Sequence, residues 1–303
     1  MKDLNKTRKE RLLKIATSAS VLVAASLVLI KGIAWLKTGS VAMLGSLLDS
    51  ILDAAAAGLN MYFVRRALKP ADERHRFGHG KAEPLGGVFQ AMIIGASALF
   101  LSAESIRRFF EPEMPTNSEL GIIIMVISSV LVSGLVMLQR YVVRRTDSLV
   151  VAGDALHGFG DIMINVGVIF ALFVSTRFDA PLIDPVIGIL LAGILFRGSY
   201  EIGRNSTRQL MDAEFTPEER QKIREIAMSN PNVSDLHDLR TRRAGLTSFI
   251  QLHIELDGNM NLMEAHEIAD AVEADIRKEF PDSEVLIHQD PQGIEVVSQF
   301  LRA

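Results

Sequence analysis

Residues 47–60 read LLDSILDAAAAGLN and place two carboxylates, Asp49 and Asp53, inside a long apolar run. Four residues make about one helical turn, so both side chains project the same way, roughly 6 Å apart along the axis. A later apolar run, DALHGFGD, repeats the device with His157 and Asp161. A carboxylate at membrane depth costs at least ~2.5 kcal/mol on insertion scales, so such groups are normally kept for a purpose. Three carboxylates and one imidazole form a four-ligand set suited to a borderline divalent metal such as zinc. The plain alternative is a buried hydrogen-bond network around a satisfied core histidine. Two four-residue repeats of ligand types on separate runs argue against it. Asp154 lies one turn before His157 on a similar face and reads as part of an access path nearer the cytoplasmic interface.

Two further groups carry ligand chemistry. Asp72, His75 and His79 lie in the polar stretch RRALKPADERHRFGHGKAE, where a merely solvated loop is the competing explanation. His237, His253, His266 and His288, with Asp290, put four of the chain's seven histidines into a short C-terminal region. His253 projects from the polar face of its strand, and His288 and Asp290, two apart, share a face. That pattern favours a metal surface over buried core histidines; scattered surface histidines are the alternative. Ala265-His266-Glu267 looks like the start of a zinc-protease helix, but that signature needs a second histidine where Asp270 stands. No glycine-rich phosphate loop occurs, and no Ser or Cys nucleophile constellation, so an ATP-driven pump and a hydrolytic enzyme are both unsupported.

The elements that must position these groups follow from hydropathy. The chain of 303 residues is 49% hydrophobic and 22% charged, with a mean hydropathy of +0.24. That mixture implies apolar spans plus a soluble part. A net charge of -4 argues for neither a nucleic-acid binder nor a strongly steered surface. With no cysteine, disulfides and thiolate metal sites are excluded. Six runs are each long enough to cross the hydrocarbon core: 16–36, 41–64, 84–105, 120–138, 149–175 and 184–200. Lys31 is expected to snorkel outward from the far end of the first. A tight turn at 37–40 and a turn-rich loop, FFEPEMPTNSE, separate spans. The basic N-terminus lacks a small-residue cleavage site, so a retained first span is expected rather than a signal peptide. The N-terminal arm, the loop with Arg65, Arg66, Lys69, Arg74, Arg76 and Lys81, and the loop with Arg140, Arg144 and Arg145 share one side. The positive-inside rule then makes both termini cytoplasmic.

After Arg204 the composition changes. A helix is expected over 217–227, strands over 233–241 and 246–256, an amphipathic helix over 262–280 and a strand over 284–290. Ile250, Leu252, Ile254 and Leu256 alternate with polar neighbours, and Leu262, Ala265, Ala269, Val272 and Ile276 mark the helix's apolar face. The reading is a polytopic α-helical membrane domain of six transmembrane helices at 1–208, a C-terminal α+β domain (αββαβ) at 209–295, and a loose tail at 296–303.

These residues resemble the cation diffusion facilitator family, particularly its bacterial zinc and ferrous-iron efflux members. The likeness rests on DSILD, HGFGD, PADERHRFGHGKAEPL, HDLRTRRAG and IHQDP, in that family's features across nearly the whole chain. It implies a ferredoxin-like cytoplasmic domain, assembly as a homodimer in the bacterial cytoplasmic (inner) membrane, and exchange of a divalent cation for protons. By motif, Asp49, Asp53, His157 and Asp161 match the family's transport site, and Asp72, His75 and His79 its loop site. His237, His253, His266, His288 and Asp290 match its two-ion cytoplasmic site, with Asp290 as bridge and Gln289 in support. Lys81 and Asp212 match a charged pair near the dimer interface. Glu73 and Arg74 depart from the commoner acidic or histidine-bearing pattern, and Arg74 weakens the loop site electrostatically.

The expected activity is export of a divalent metal, zinc first, with Fe2+ or Cd2+ as other cargoes, by proton-coupled antiport and alternating access. One imidazole disfavours manganese and magnesium, which prefer oxygen throughout. A membrane-anchored sensor that binds zinc without transporting it is the rival from another class.

Overall fold

A computed structural model describes residues 6–38, 41–110, 119–178 and 183–293. The expected tail, part of the turn at 37–40 and most of the FFEPEMPTNSE loop lie outside the described residues. The chain divides into two compact units, Met1–Thr207 and Arg208–Ala303.

Six long helices dominate the first part: α1 (Lys6–Thr38), α2 (Val41–Ala67), α3 (Ala82–Phe110), α4 (Glu119–Thr146), α5 (Leu149–Phe178) and α6 (Ile183–Leu210). All six are long and apolar enough to cross a membrane. They overrun the apolar runs because backbone hydrogen bonding continues into the polar flanks; α1, for instance, starts inside the basic arm at Lys6. The pairs α1–α2, α4–α5, α1–α4, α2–α3 and α3–α5 pack together. In lipid there is little hydrophobic drive between helices, so close approach depends on small residues and on polar contacts. Gly86 of α3 supplies the first: a Cβ there would lie 2.7 Å from Val150 Cγ2 and 2.8 Å from Phe63 Cβ, so α2 and α5 close on it. Lys31 departs from the expected outward snorkel. Its Nζ donates to the Ser46 carbonyl at 3.2 Å, turning the ammonium toward α2.

The second unit holds α7 (Pro217–Met228), β1 (Asp235–Ala244), β2 (Thr247–Leu256), α8 (Leu262–Glu279) and β3 (Ser283–Pro291). The expected α-β-β-α-β order is present, with a three-stranded sheet in which β2 is central. It pairs antiparallel with β1 and parallel with β3. Both helices start on reciprocal capping boxes, Thr216 with Glu219 and Asn261 with Glu264, each worth about 1 kcal/mol. Ile250, Leu252, Ile254 and Leu256 form the core with Ile223, Leu236, Val272 and Ile276. Leu262 does not join that face: it follows the Asn261 cap and is 82% exposed. β1 is irregular, with a register shift between His237 and Arg240 and Asp238 at φ 48, so simple alternation fails along it.

Candidate functional site

Among the described residues, three groups of ligand-type side chains assemble, each with its ligand atoms within 4.8 Å of one another: Asp53–His157–Asp161, Asp72–His75–His79 and His237–His253–Asp290.

The first lies within the spans. α2 supplies Asp53, and α5 supplies His157 and Asp161 one turn apart. His157 Nε2 lies 3.0 Å from Asp53 Oδ1 and 3.8 Å from Asp161 Oδ2. These three residues line a cavity of about 50 Å³, shared with Ser20, Gln139 and Asp154. Asp49, one turn before Asp53, is exposed and stands outside this group. The i, i+4 spacing sets a common direction but not a common reach. Lys31 lies within electrostatic reach of Asp53, Asp49 and Asp161.

The second group sits in the loop between α2 and α3. Asp72 Oδ1 lies 3.1 Å from His75 Nδ1 and accepts from the Arg74 and His75 amides at 3.1 and 2.9 Å. Lys69 Nζ donates to Oδ2 at 3.3 Å. The hydrogen bond from His75, and after it those from the backbone and Lys69, hold the Asp72 carboxyl well below the usual carboxylate range. His79 is buried, and neither ring nitrogen has a hydrogen-bond partner among the described residues, although Nε2 comes within 3.4 Å of Asp72 Oδ2. An imidazole buried without partners is costly, and a metal held with Asp72 and His75 would satisfy it.

The third group is laid out by sheet register. His237 pairs with His253, and His253 with His288, so three imidazoles form one row across the sheet. Two residues along, on the same face, Asp235, Glu255 and Asp290 form a second row. Asp290 is 7% exposed and draws in all three histidines: His253 Nδ1 at 2.8 Å, His237 Nε2 at 3.2 Å and His288 Nε2 at 3.3 Å. His237 Nε2 is buried without a hydrogen-bond partner. Imidazole nitrogens converging on one carboxylate are a donor set that fits zinc. His266 is not brought to this cluster. It is exposed on α8, with Nε2 3.5 Å from Asp270 Oδ2. Asp212 pairs with Arg242 at 3.4 Å.

Sequence reasoning missed a set of buried polar residues. Ser20, Asn60 and Gln139 surround Asp154, and Glu83 of α3 caps the start of α5. Polar residues inside apolar runs were the available signal.

Residues 17–211 match the cation efflux transmembrane domain, and residues 215–292 the cation efflux protein cytoplasmic domain. The chain belongs to the cation diffusion facilitator, or cation efflux, family. It is 42% identical to the cation-efflux pump FieF of Shewanella oneidensis, over 94% of this chain and 96% of that protein. It is 43% identical to the cation-efflux pump FieF of Escherichia coli, over 94% of each. The metal-bound C-terminal domain of the CzcD transporter from Thermotoga maritima is 35% identical with a TM-score of 0.25, covering 26% of this chain and 93% of that one. Family membership and six spans make this a multi-pass membrane transporter rather than an enzyme.

Proposed function

We propose that this transporter exports a divalent metal cation, zinc first, from the cytoplasm in exchange for protons. The observation that carries the reading is the convergence of Asp53, His157 and Asp161 on one cavity between apolar helices. Two carboxylates and an imidazole offer a borderline cation both oxygen and nitrogen, and rotation of the α2 side chain would bring Asp49 in as a fourth ligand. Cation and proton compete for these same groups, because a metal ligand must be deprotonated. The inward-facing site, deprotonated, takes the cation; the outward-facing site releases it as protons bind. Rigid-body rocking of helix groups switches access, as in many secondary transporters.

Residues 1–208 do the transport and residues 209–295 the cytoplasmic metal binding. The chain sits as a homodimer in the bacterial cytoplasmic membrane with both termini inside, in line with its basic loops. In the cytoplasmic unit, His237, His253, His288 and Asp290 would hold zinc, whose charge neutralises the buried carboxylate. Fe2+ and Cd2+ fit the transport ligands at similar cost.

Zinc uptake into sealed inside-out vesicles, with a pH gradient imposed and then reversed, tests this reading. Uptake that follows the gradient supports antiport. Zinc binding with no flux in either direction would leave a sensor.

A further inference from the structure

Asp154 is the remaining carboxylate on the cavity of the transport triad. Its Oδ2 accepts from Ser20 Oγ and from Gln139 Nε2, both at 2.6 Å, and its Oδ1 from Asn60 Nδ2 at 3.3 Å. These donors come from α1, α4 and α2, so three helices converge on one carboxylate of α5. Gln139 is 1% exposed and Asn60 2%. Gln139 Nε2 also donates to Ser20 Oγ at 3.0 Å, yet its Oε1 is buried with no hydrogen-bond partner among the described residues.

The partners are of one chemical kind. A hydroxyl and two primary amides each carry a donor and an acceptor at the same tip. Rotating the Ser20 hydroxyl and flipping the two amides turns oxygens, in place of hydrogens, toward the same point. Flipping Asn60 also breaks its 3.2 Å hydrogen bond to Gln90 Oε1, and a matching flip of the Gln90 amide, whose Nε2 is buried with no hydrogen-bond partner among the described residues, restores it. One orientation satisfies an empty carboxylate with three donors; the other surrounds a cation with oxygens. The unpartnered Gln139 Oε1 is acceptor capacity left unused in the present orientation. An all-oxygen set suits a cation that keeps part of its water shell, unlike the imidazole-bearing triad beyond it.

We propose that Asp154, Ser20, Gln139 and Asn60 form a second cation station, which takes the partly hydrated divalent cation before it reaches Asp53, His157 and Asp161. This rests on the transporter reading above. Asp154 lies about 4.5 Å nearer the α5 N-terminus than His157, on the side of the basic α4–α5 junction. The cation sheds some of its water at the station and the rest at the triad.

The test is the rate of zinc binding to the full-length protein in lipid nanodiscs, followed by stopped-flow competition with a fluorescent chelator. Asp161→Ala, run beside it, reports the loop and cytoplasmic clusters for subtraction. Asp154→Asn keeps the shape and one accepting oxygen while removing the charge. It is expected to slow zinc association about tenfold, within the range electrostatic focusing supplies, with equilibrium occupancy of the triad unchanged. A wild-type association rate overturns the station. So does a loss of occupancy at unchanged rate, which would make Asp154 a purely structural tie. Should Asp154→Asn fail to fold, Ser20→Ala and Gln139→Ala each remove one oxygen; both are expected to slow association, and wild-type rates in both overturn the proposal. Association is read without flux, so a protein that binds zinc but moves none would sink the transporter reading and still decide the station.

Discussion

Glu83 Oε1 accepts the Leu149 amide at 2.7 Å, so a carboxylate from the first turn of α3 caps α5. The same oxygen accepts from Ser148 Oγ at 2.7 Å and the Val150 amide at 3.3 Å. An anion at a helix N-terminus meets both the unpaired amides and the positive end of the dipole. His79 lies one turn before Glu83, and its carbonyl accepts the Ala82 amide at 2.9 Å. Glu83 thus ties the first turn of α3, which directly follows the loop cluster, to the start of the helix bearing His157 and Asp161. Glu83→Ala is expected to cost about 3 kcal/mol, because hydrogen bonds to a charged acceptor are lost and buried amides left open. Glu83→Gln, which keeps an acceptor, is expected to cost less. Thermal unfolding in detergent checks this; equal melting temperatures for both variants and the parent contradict it.

Asp290 is the hub of the cytoplasmic cluster, and His266 stands apart from it. Asp290→Ala is expected to abolish tight zinc binding by that cluster, whereas His266→Ala leaves the ions held by His237, His253 and His288 in place. Zinc counted on the full-length protein after dialysis, in an Asp161→Ala background, separates the two. Equal losses would contradict the hub.

The approach of α3 to α2 and α5 depends on Gly86 having no side chain. Gly86→Ala is expected to destabilise by about 1–3 kcal/mol through overpacking. Gly134→Ala in α4, where a Cβ meets nothing within 4 Å, is the tolerated control. Melting temperatures of the two variants compare them directly.

Asp72 gives the loop a defined response to acid. Hydrogen bonding, from His75 above all, holds its carboxyl below the ordinary value of 3.8. A depressed carboxyl favours the folded loop at every pH above that ordinary value. The contribution is lost only as pH falls below it and through the depressed value. Carboxyl carbon shifts of Asp72 in labelled protein should therefore stay flat from neutral pH down to 3.8. A midpoint at or above that value would contradict the hydrogen-bonded loop.

Much of the fold was legible because its signals are local. Apolar runs fix six spans, and the alternation of Ile250, Leu252, Ile254 and Leu256 fixes the face of β2. β1 lies where a strand is expected, but its register shift was not legible, because Asp238 takes a left-handed conformation that no pattern of apolar residues announces. In the candidate sites, residue spacing sets direction and leaves reach open. Asp53 meets His157, while Asp49 on the same helix stays exposed. His266 shares its chemistry with the cytoplasmic histidines, yet α8 carries it away from their row. Ser20, Asn60, Gln139 and Glu83 carry no ligand-type spacing that would mark them in the sequence. Neutral polar groups in apolar helices bond across to neighbours, and those bonds depend on tertiary packing.

On the function proposed above, Asp53, His157 and Asp161 carry the cation across the membrane. Zinc flux in sealed vesicles holding full-length protein, with Asp53→Ala and Asp161→Ala compared under one imposed pH gradient, is the decisive measurement. Both variants are expected to keep the zinc of the cytoplasmic cluster and to lose proton-driven flux. Flux persisting at the parent rate in either variant would contradict it.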